Sequence, residues 1–208
     1  DSKGDYPRAL EFYKKALDQA VLNENKRGIS SALNNMGMIY EVTGDLPKAL
    51  DYYQKSLRID EERKDSSGLA NSYLQLGNIH ELLGDTAKAM QYYTQSKEMA
   101  TQLGENILLI YSSINIGYIL EDQGYMTEAY DVFLKALQLS EEIVEQEAIL
   151  LSSMMMGIIN CDLEEYGESE YYLTRALKLS RDLGSTTHER YVNHHLGELY
   201  FKKGNYAK

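Results

Sequence analysis

Few side chains in this sequence are of a type that makes or breaks bonds, and their spacing argues against it. His194 and His195 are adjacent, so on a helix their rings point about 100° apart and do not chelate one ion as a pair. His80 sits at a core position of its helical pattern, where the expectation is a buried ring with its hydrogen bonds met. Cys161 has no basic neighbour in the sequence to lower its pKa, so a reactive thiol is not expected. The acidic pairs Glu141-Glu142 and Glu164-Glu165 fall at helix ends or in loops and read as solvated. No HExxH, glycine-rich phosphate loop or GxSxG occurs. The sequence therefore reads as a non-enzyme that needs no cofactor and no metal. What remains is amide chemistry. Asn35, Gln75 and Asn115 recur at one fixed spacing, and a side-chain amide carries both donors and an acceptor for the backbone of an extended peptide.

The charge balance narrows the partners. Against 21 basic residues stand 32 acidic ones, a formal charge of −11. Nucleic-acid binding depends on neutralising phosphates with Lys and Arg, so nucleic acid is not an expected partner. Basic or neutral proteins are favoured mildly. No apolar run approaches the length that spans a bilayer, and no membrane partner is expected. A single cysteine rules out an internal disulfide framework. The expected location is the cytoplasm, with the periplasm as the alternative.

The elements that must position the amides follow from a repeat. Gly4, Gly44, Gly84, Gly124 and Gly204 keep a 40-residue beat, and Glu164 fills the one empty slot. A period of this size marks a solenoid, in which each unit packs only on its neighbours. Each unit holds two helical patterns. In SSALNNMGMIYEVTG, Leu33, Met36, Ile39 and Tyr40 share a face; in LPKALDYYQKSLRIDEER, Leu46, Ala49, Leu50, Tyr53 and Leu57 do the same. Gly44 suits a helix C-cap with positive φ, and Asp45 suits the next N-cap. Second-type helices are expected near 6–22, 46–63, 86–103, 126–143 and 166–183, and first-type helices near 28–42, 67–83, 107–123, 147–163 and 187–203. The chain opens at DSKGDY and stops at GNYAK, so residues 1–208 read as one array cut from a longer protein.

Glycines also recur inside the first-type helices, at Gly37, Gly77, Gly117, Gly157 and Gly197. Each costs about 1 kcal/mol relative to alanine, so the register calls for a packing reason. Each is expected to seat a neighbouring helix, with Tyr13, Tyr53, Tyr93, Phe133 and Leu173 filling the space beside the seats and Ala9, Ala49, Ala89, Ala129 and Ser169 marking the second-type helices.

This register closely resembles the tetratricopeptide repeat family. One unit matches its signature at Leu33, Met36, Gly37, Tyr40, Gly44, Ala49, Tyr53 and Ser56; the next matches at Tyr73, Leu76, Gly77, Gly84, Ala89, Tyr93 and Ser96, with His80 in place of the usual Tyr. The family's standard unit is shorter, at about 34 residues, and its closing proline is absent here. The longer period resembles the subgroup of kinesin light chains, Pins-related polarity adaptors and bacterial Rap-type regulators. HEAT and armadillo repeats have similar periods but lack the Gly/Ala/aromatic register. The resemblance implies an all-α fold: a right-handed superhelical solenoid of antiparallel helix pairs, about ten helices in all. It also implies a protein-interaction module that binds a peptide or partner segment in its concave groove. Two alternatives stand beside that reading. One is a regulatory input domain of a larger bacterial signalling protein with a histidine kinase, cyclase or transcription regulator. The other is self-association, because the opening second-type helix lacks its first-type partner and leaves Leu10, Tyr13 and Leu17 under-covered, favouring a homodimer or end-to-end stacking.

In the family the first-type helices line the concave face, which implies a set of groove residues. These are Asn34, Asn35, Gln75, Asn78, Tyr111, Asn115, Tyr118, Met154 and Met155, together with Glu41, Glu81 and Glu121. The amides either contact a ligand or bond across neighbouring first-type helices. The glutamates form either an acidic ridge that steers basic partners or a solvated face. Met154 and Met155 mark either an apolar anchor pocket or extra packing. The family's chaperone-tail carboxylate clamp, a Lys/Asn/Asn/Lys/Arg set, does not fit, since Asn34, Met38, Gln75, Tyr111 and Asn115 occupy its positions and its positive charges are missing. The unit that contains Glu164 is expected to be the least regular.

Overall fold

Every twentieth residue from Glu24 to Gly204 has a positive φ, between +50° and +82°. In the computed structural model, which describes residues 4–204, these positions close ten helices. They are α1 (Tyr6–Leu22), α2 (Lys26–Val42), α3 (Leu46–Arg63), α4 (Ser66–Leu82), α5 (Thr86–Leu103), α6 (Asn106–Asp122), α7 (Met126–Ile143), α8 (Gln146–Asp162), α9 (Tyr166–Asp182) and α10 (Thr186–Lys202). Among the described residues there is no strand. The boundaries fall close to those expected from periodicity. The helix that GNYAK would open lies outside the described residues.

One turn builds all the connections. After each left-handed residue from Glu24 to Gly184, the next N–H reaches back five residues to a helix carbonyl. Asp45 donates to Tyr40 O at 2.8 Å, Asp85 to His80 O at 2.8 Å, and Glu165 to Asn160 O at 2.8 Å. This bond satisfies carbonyls that the helix end would otherwise leave unpaired. The turn at Glu164 (φ +62°) keeps the same bond as its glycine counterparts. The expected irregularity there is absent, because the bond pattern holds the left-handed conformation without glycine. Four such positions carry side chains: Glu24, Lys64, Val144 and Glu164.

Capping divides the chain. Asp5, Asn25, Asp45, Asp65 and Asp85 each accept a bond from the backbone N–H three residues on. Tyr125, Glu145, Glu165 and Ser185 occupy the same place on α7 to α10 without a side-chain cap bond.

The chain forms two compact units, Asp1–Ser112 and Ser113–Lys208. In each, consecutive helices pack as antiparallel pairs. The first unit packs α1 on α2, α2 on α3, α3 on α4 and α4 on α5; the second packs α7 on α8, α8 on α9 and α9 on α10. The seats are filled as the register implies. A Cβ built on Gly37 would lie 2.7 Å from the Tyr53 ring, and one on Gly77 would overlap Tyr93. In the second unit a Cβ on Gly117 would meet Phe133 at 2.7 Å, and one on Gly157 would meet Leu173 at 2.6 Å. Tyr53, Tyr93, Phe133 and Leu173 are fully buried, as are Ala49, Ala89, Ala129 and Ser169. Among the described residues, nothing lies within 4 Å of a Cβ built on Gly197. At the other end Leu10, Tyr13 and Leu17 are only half-buried, and Phe12 and Leu22 are exposed.

Two outcomes follow for stability. Gly77→Ala should lower the melting temperature, since overpacking costs about 1–3 kcal/mol and outweighs a helix gain of at most ~1 kcal/mol. Gly197→Ala should raise it, because only the helix gain applies where space is open. Thermal unfolding followed by circular dichroism compares the pair, and equal shifts would refute the seat. Tyr125→Asp supplies α7 with the cap that Asp45 gives α3, and should add about 1 kcal/mol in urea unfolding.

Candidate functional site

A polar concavity lies in the first unit, between α2, α3 and α4. It is a cavity of about 490 Å³ lined by Asn34 and Asn35, two of the expected groove residues, and by Arg27, Ser31, Asp60 and Asn71 among others. Its floor is a closed network. Asp60, on α3, is almost fully buried; its carboxylate accepts from Ser72 Oγ at 3.1 Å and from Arg63 at 3.1 Å. Arg63 also donates to Asp65 at 2.6 Å, and Asp65 in turn accepts from the Gly68 N–H at 3.1 Å as the cap of α4. Those contacts, with the Gly68 N–H foremost, hold the Asp65 carboxyl below its ordinary pKa. Beside them Ser56 Oγ donates to Ser30 O at 3.1 Å.

The backbone makes room for this carboxylate. A Cβ on Gly68 would lie 2.8 Å from Asp60 Cγ. Across the repeats the Asp60 position otherwise reads Ala20, Ala100, Ser140 and Ser180. A buried charge in a column of small residues survives only when paired and hydrogen-bonded. Arg63 and Ser72 supply that pairing. The breach of the column was legible in the sequence and is the signal that marks the pocket. Arg27, Asp60 and Arg63 are site residues that the groove columns do not contain.

The other expected groove residues divide by unit. In the first, Asn35, Gln75, Asn78 and Tyr111 are half-buried. Asn78 Nδ2 lies 3.5 Å from Gln75 Oε1 within α4, so this amide contact runs along one helix and not between helices. In the second unit Asn115 and Tyr118 are half-buried, and Tyr118 sets its ring edge-on to Phe133 at 5.5 Å. Met154 and Met155 are only 5% and 3% exposed. They pack as core, in keeping with the extra-packing alternative: α8 is buried on nearly every side from Ala148 to Cys161.

The glutamate column is not a uniform ridge. Tyr53 Oη donates to Glu41 at 2.6 Å, and Tyr93 Oη to Glu81 at 2.5 Å. Burial, with the neighbouring carboxylate, drives the Tyr53 pKa far above its ordinary value. Both glutamates thus accept from the seated rings, Glu41 half-buried and Glu81 still exposed. At Glu121 the seated ring is Phe133, which has no hydroxyl to offer. Burial, with Asp122 and Asp162 adding like charge, raises the Glu121 pKa.

The groups that could do bond-making chemistry are accounted for. His80 is buried against Tyr92 at 5.4 Å, and burial lowers its pKa. Its Nδ1 stands 3.6 Å from Asp85, beyond a hydrogen bond, so the expectation of a fully bonded ring is corrected. His194 and His195 both approach Glu198, at 3.5 and 2.7 Å. Among the described residues no three His, Cys, Asp or Glu side chains converge on a metal-sized space. Cys161 does have a basic neighbour in space, Lys202, but burial dominates and pushes its thiol up. Glu141 is paired with Arg175 and is not simply solvated.

Glu121 yields a pH test. Its raised pKa means that folding favours the neutral acid. At low pH it is protonated in both states and costs nothing; as pH rises through the ordinary carboxylate range, the unfolded chain ionises first and stability falls. Glu121→Gln should therefore melt higher than the parent at pH 7, with the gap closing toward pH 4. A gap that widens on acidification would contradict this sign.

Known proteins can now be set beside this geometry. Tetratricopeptide repeat models match residues 2–62 and 28–102, and a further one matches 110–143. A comparison with curated protein sequences finds no match. Among solved structures, BtubC (BKLC) from P. vanneervenii is similar with a TM-score of 0.79 at 15% identity, over 97% of this chain and 85% of that one. A Rap protein complexed with competence and sporulation factor gives 0.79 at 18% identity, over 96% of this chain and 56% of that one. Aspartyl phosphate phosphatase F from Bacillus subtilis gives 0.75 at 17% identity, over 93% of this chain and 49% of that one. The chain thus spans about half the length of these last two. None of its described helices is long and apolar enough to cross a membrane. With repeat matches over more than half of its length and seated glycines in both units, the chain belongs to the tetratricopeptide repeat family.

Proposed function

We propose that this chain is a protein-interaction scaffold without catalytic activity of its own, and that its first unit receives an extended segment of a partner protein in the pocket between α2 and α4. The carrying observation is the polar cavity of about 490 Å³, where the expected Asn34 and Asn35 meet Ser31 and Asn71 on two first-type helices. Asn34 Oδ1 is buried there without a hydrogen-bond partner. A buried acceptor left unpaired costs about 1–3 kcal/mol, which a turn of the Asn34 amide toward a ligand N–H would relieve. Extended peptide backbone offers a donor and an acceptor at every residue, matching a wall of side-chain amides. The similar Rap protein complexed with competence and sporulation factor supports a binding role for the fold.

A displayed library of random dodecapeptides, selected on the purified chain, tests this reading. Selected peptides should lose at least about tenfold in affinity for a variant carrying Asn34→Ala, Asn35→Ala and Asn71→Ala, since each lost bond contributes about 1 kcal/mol. Retained affinity in a variant that melts normally would remove the pocket from the interaction.

A further inference from the structure

The turn between α4 and α5 repeats the turn between α2 and α3 with one side chain changed. In both, an aspartate caps the second-type helix and pairs with the lysine three residues on, Asp45 with Lys48 at 2.6 Å and Asp85 with Lys88 at 2.9 Å. In both, the residue five before the aspartate stacks on a tyrosine of that helix. Tyr40 stacks on Tyr52 with ring centres 5.3 Å apart, and His80 on Tyr92 at 5.4 Å. Lys48 Nζ also lies 5.1 Å from the centre of the Tyr40 ring, a favourable cation–π contact. At the second turn the ring in this place can itself become a cation. Only this repeat has it, since the column reads Tyr40, His80, Leu120, Asn160 and Tyr200.

The two carboxylate oxygens of Asp85 have separate duties. Oδ1 accepts the Lys88 backbone N–H at 3.3 Å as the cap of α5, and Oδ2 takes the Lys88 ammonium. His80 Nδ1 stands 3.6 Å from that same Oδ2 and is buried without a hydrogen-bond partner among the described residues. A neutral imidazole with its hydrogen on Nε2 turns a lone pair toward the oxygen, and two acceptors keep apart. A proton on Nδ1 converts this stand-off into a charge-assisted hydrogen bond, which needs a closure of about 0.8 Å.

The groups around the ring set the direction of its response. Lys88 and Asp85 are the charges that act on it, and Tyr92 covers its face. Burial first, and then Lys88, hold the His80 pKa below its ordinary value against the upward pull of Asp85. The Lys88 hydrogen bond lowers the Asp85 pKa in turn, so this carboxylate stays an anion while histidine titrates. On α4 itself the adjacent Glu81 is engaged by Tyr93 Oη. The other helix packed on α4 is α3, which brings apolar Leu46, Leu50 and Leu57 to the core that Tyr92 joins.

We infer that the α4–α5 turn is a proton-driven exchange of partners: protonated His80 donates from Nδ1 to Asp85 Oδ2, Lys88 is released to solvent, and Oδ1 keeps the helix cap. The proton comes from solvent and no covalent bond of the backbone or side chains is broken. Folding favours the neutral ring, so as pH falls through the ordinary histidine range the unfolded chain takes the proton first and stability is lost. The turn at Tyr40 has no group that titrates there and keeps its Asp45–Lys48 pair. This device is independent of what the pocket between α2 and α4 binds.

Side-chain nuclear magnetic resonance of the 13C,15N-labelled chain, titrated from about pH 8 to about pH 5 where histidine changes charge, tests the exchange. The Asp85 carboxyl and Lys88 ε-carbon signals should step together with the His80 ring, at a midpoint below the ordinary value of about 6.5. The Asp45 and Lys48 signals should stay flat. His80→Tyr, which copies the Tyr40 arrangement, should silence the step at Asp85 and Lys88, and Tyr40→His should create one at Asp45 and Lys48. The parent should also lose more melting temperature on acidification than His80→Tyr does. A His80 ring that titrates while Asp85 and Lys88 stay unmoved would overturn the exchange, as would a ring that remains neutral throughout or an Asp85 step that survives in His80→Tyr. Equal losses of melting temperature in the two proteins would overturn the direction of the response.

Discussion

The close approach of a ring or branched side chain to a helix glycine is the constraint on which the rest depends. Between Gly37 and Tyr53, and again at Gly77 and Tyr93, Gly117 and Phe133, and Gly157 and Leu173, there is no space for a methyl group. Each contact fixes the distance and the rotation of a helix pair at once, because the seated residue always lies on the following helix at the same offset from its glycine. The left-handed turns then limit how the chain can leave one helix and enter the next. With both devices repeated, side chains one full repeat apart fall at equivalent places within each unit, and a column of residues becomes a surface.

That scaffold accounts for what the polar residues do. Seating a tyrosine buries a hydroxyl that needs an acceptor, and Glu41 and Glu81 provide it. Where the ring lacks a hydroxyl, as at Phe133, the matching Glu121 keeps its carboxyl beside other acids. In the first unit the substitution of a small residue by Asp60 opens a different possibility. The carboxylate lies against Gly68 and pairs with Arg63, and all three line the polar cavity between α2 and α4.

Much of this was legible before any coordinates. Helix ends followed from apolar periodicity and from Gly–Asp pairs, and the glycine seats followed from five copies in one register. The half-period was partly hidden, because of its five left-handed positions only Gly104 and Gly184 are glycine, while Glu24, Lys64 and Val144 announce no turn. Met154 and Met155 sit at groove register yet are buried, since register places a residue on a helix face but does not say what covers that face. The pocket was half visible. Asn34 and Asn35 stood out as amides, while Asp60 and Arg63 belong to a second-type helix that the groove columns never sampled. Pairing across helices, unlike periodicity along one, has no local signature.

The central claim is that the amides of α2 and α4 form a ligand surface. Nuclear magnetic resonance of the side-chain amide groups in uniformly 15N-labelled protein addresses it most directly, titrated with a library-selected peptide. The Asn34, Asn35 and Asn71 NH2 signals should shift together and saturate in step with the peptide. Saturable shifts confined to the second unit, with these three signals unmoved, would contradict it.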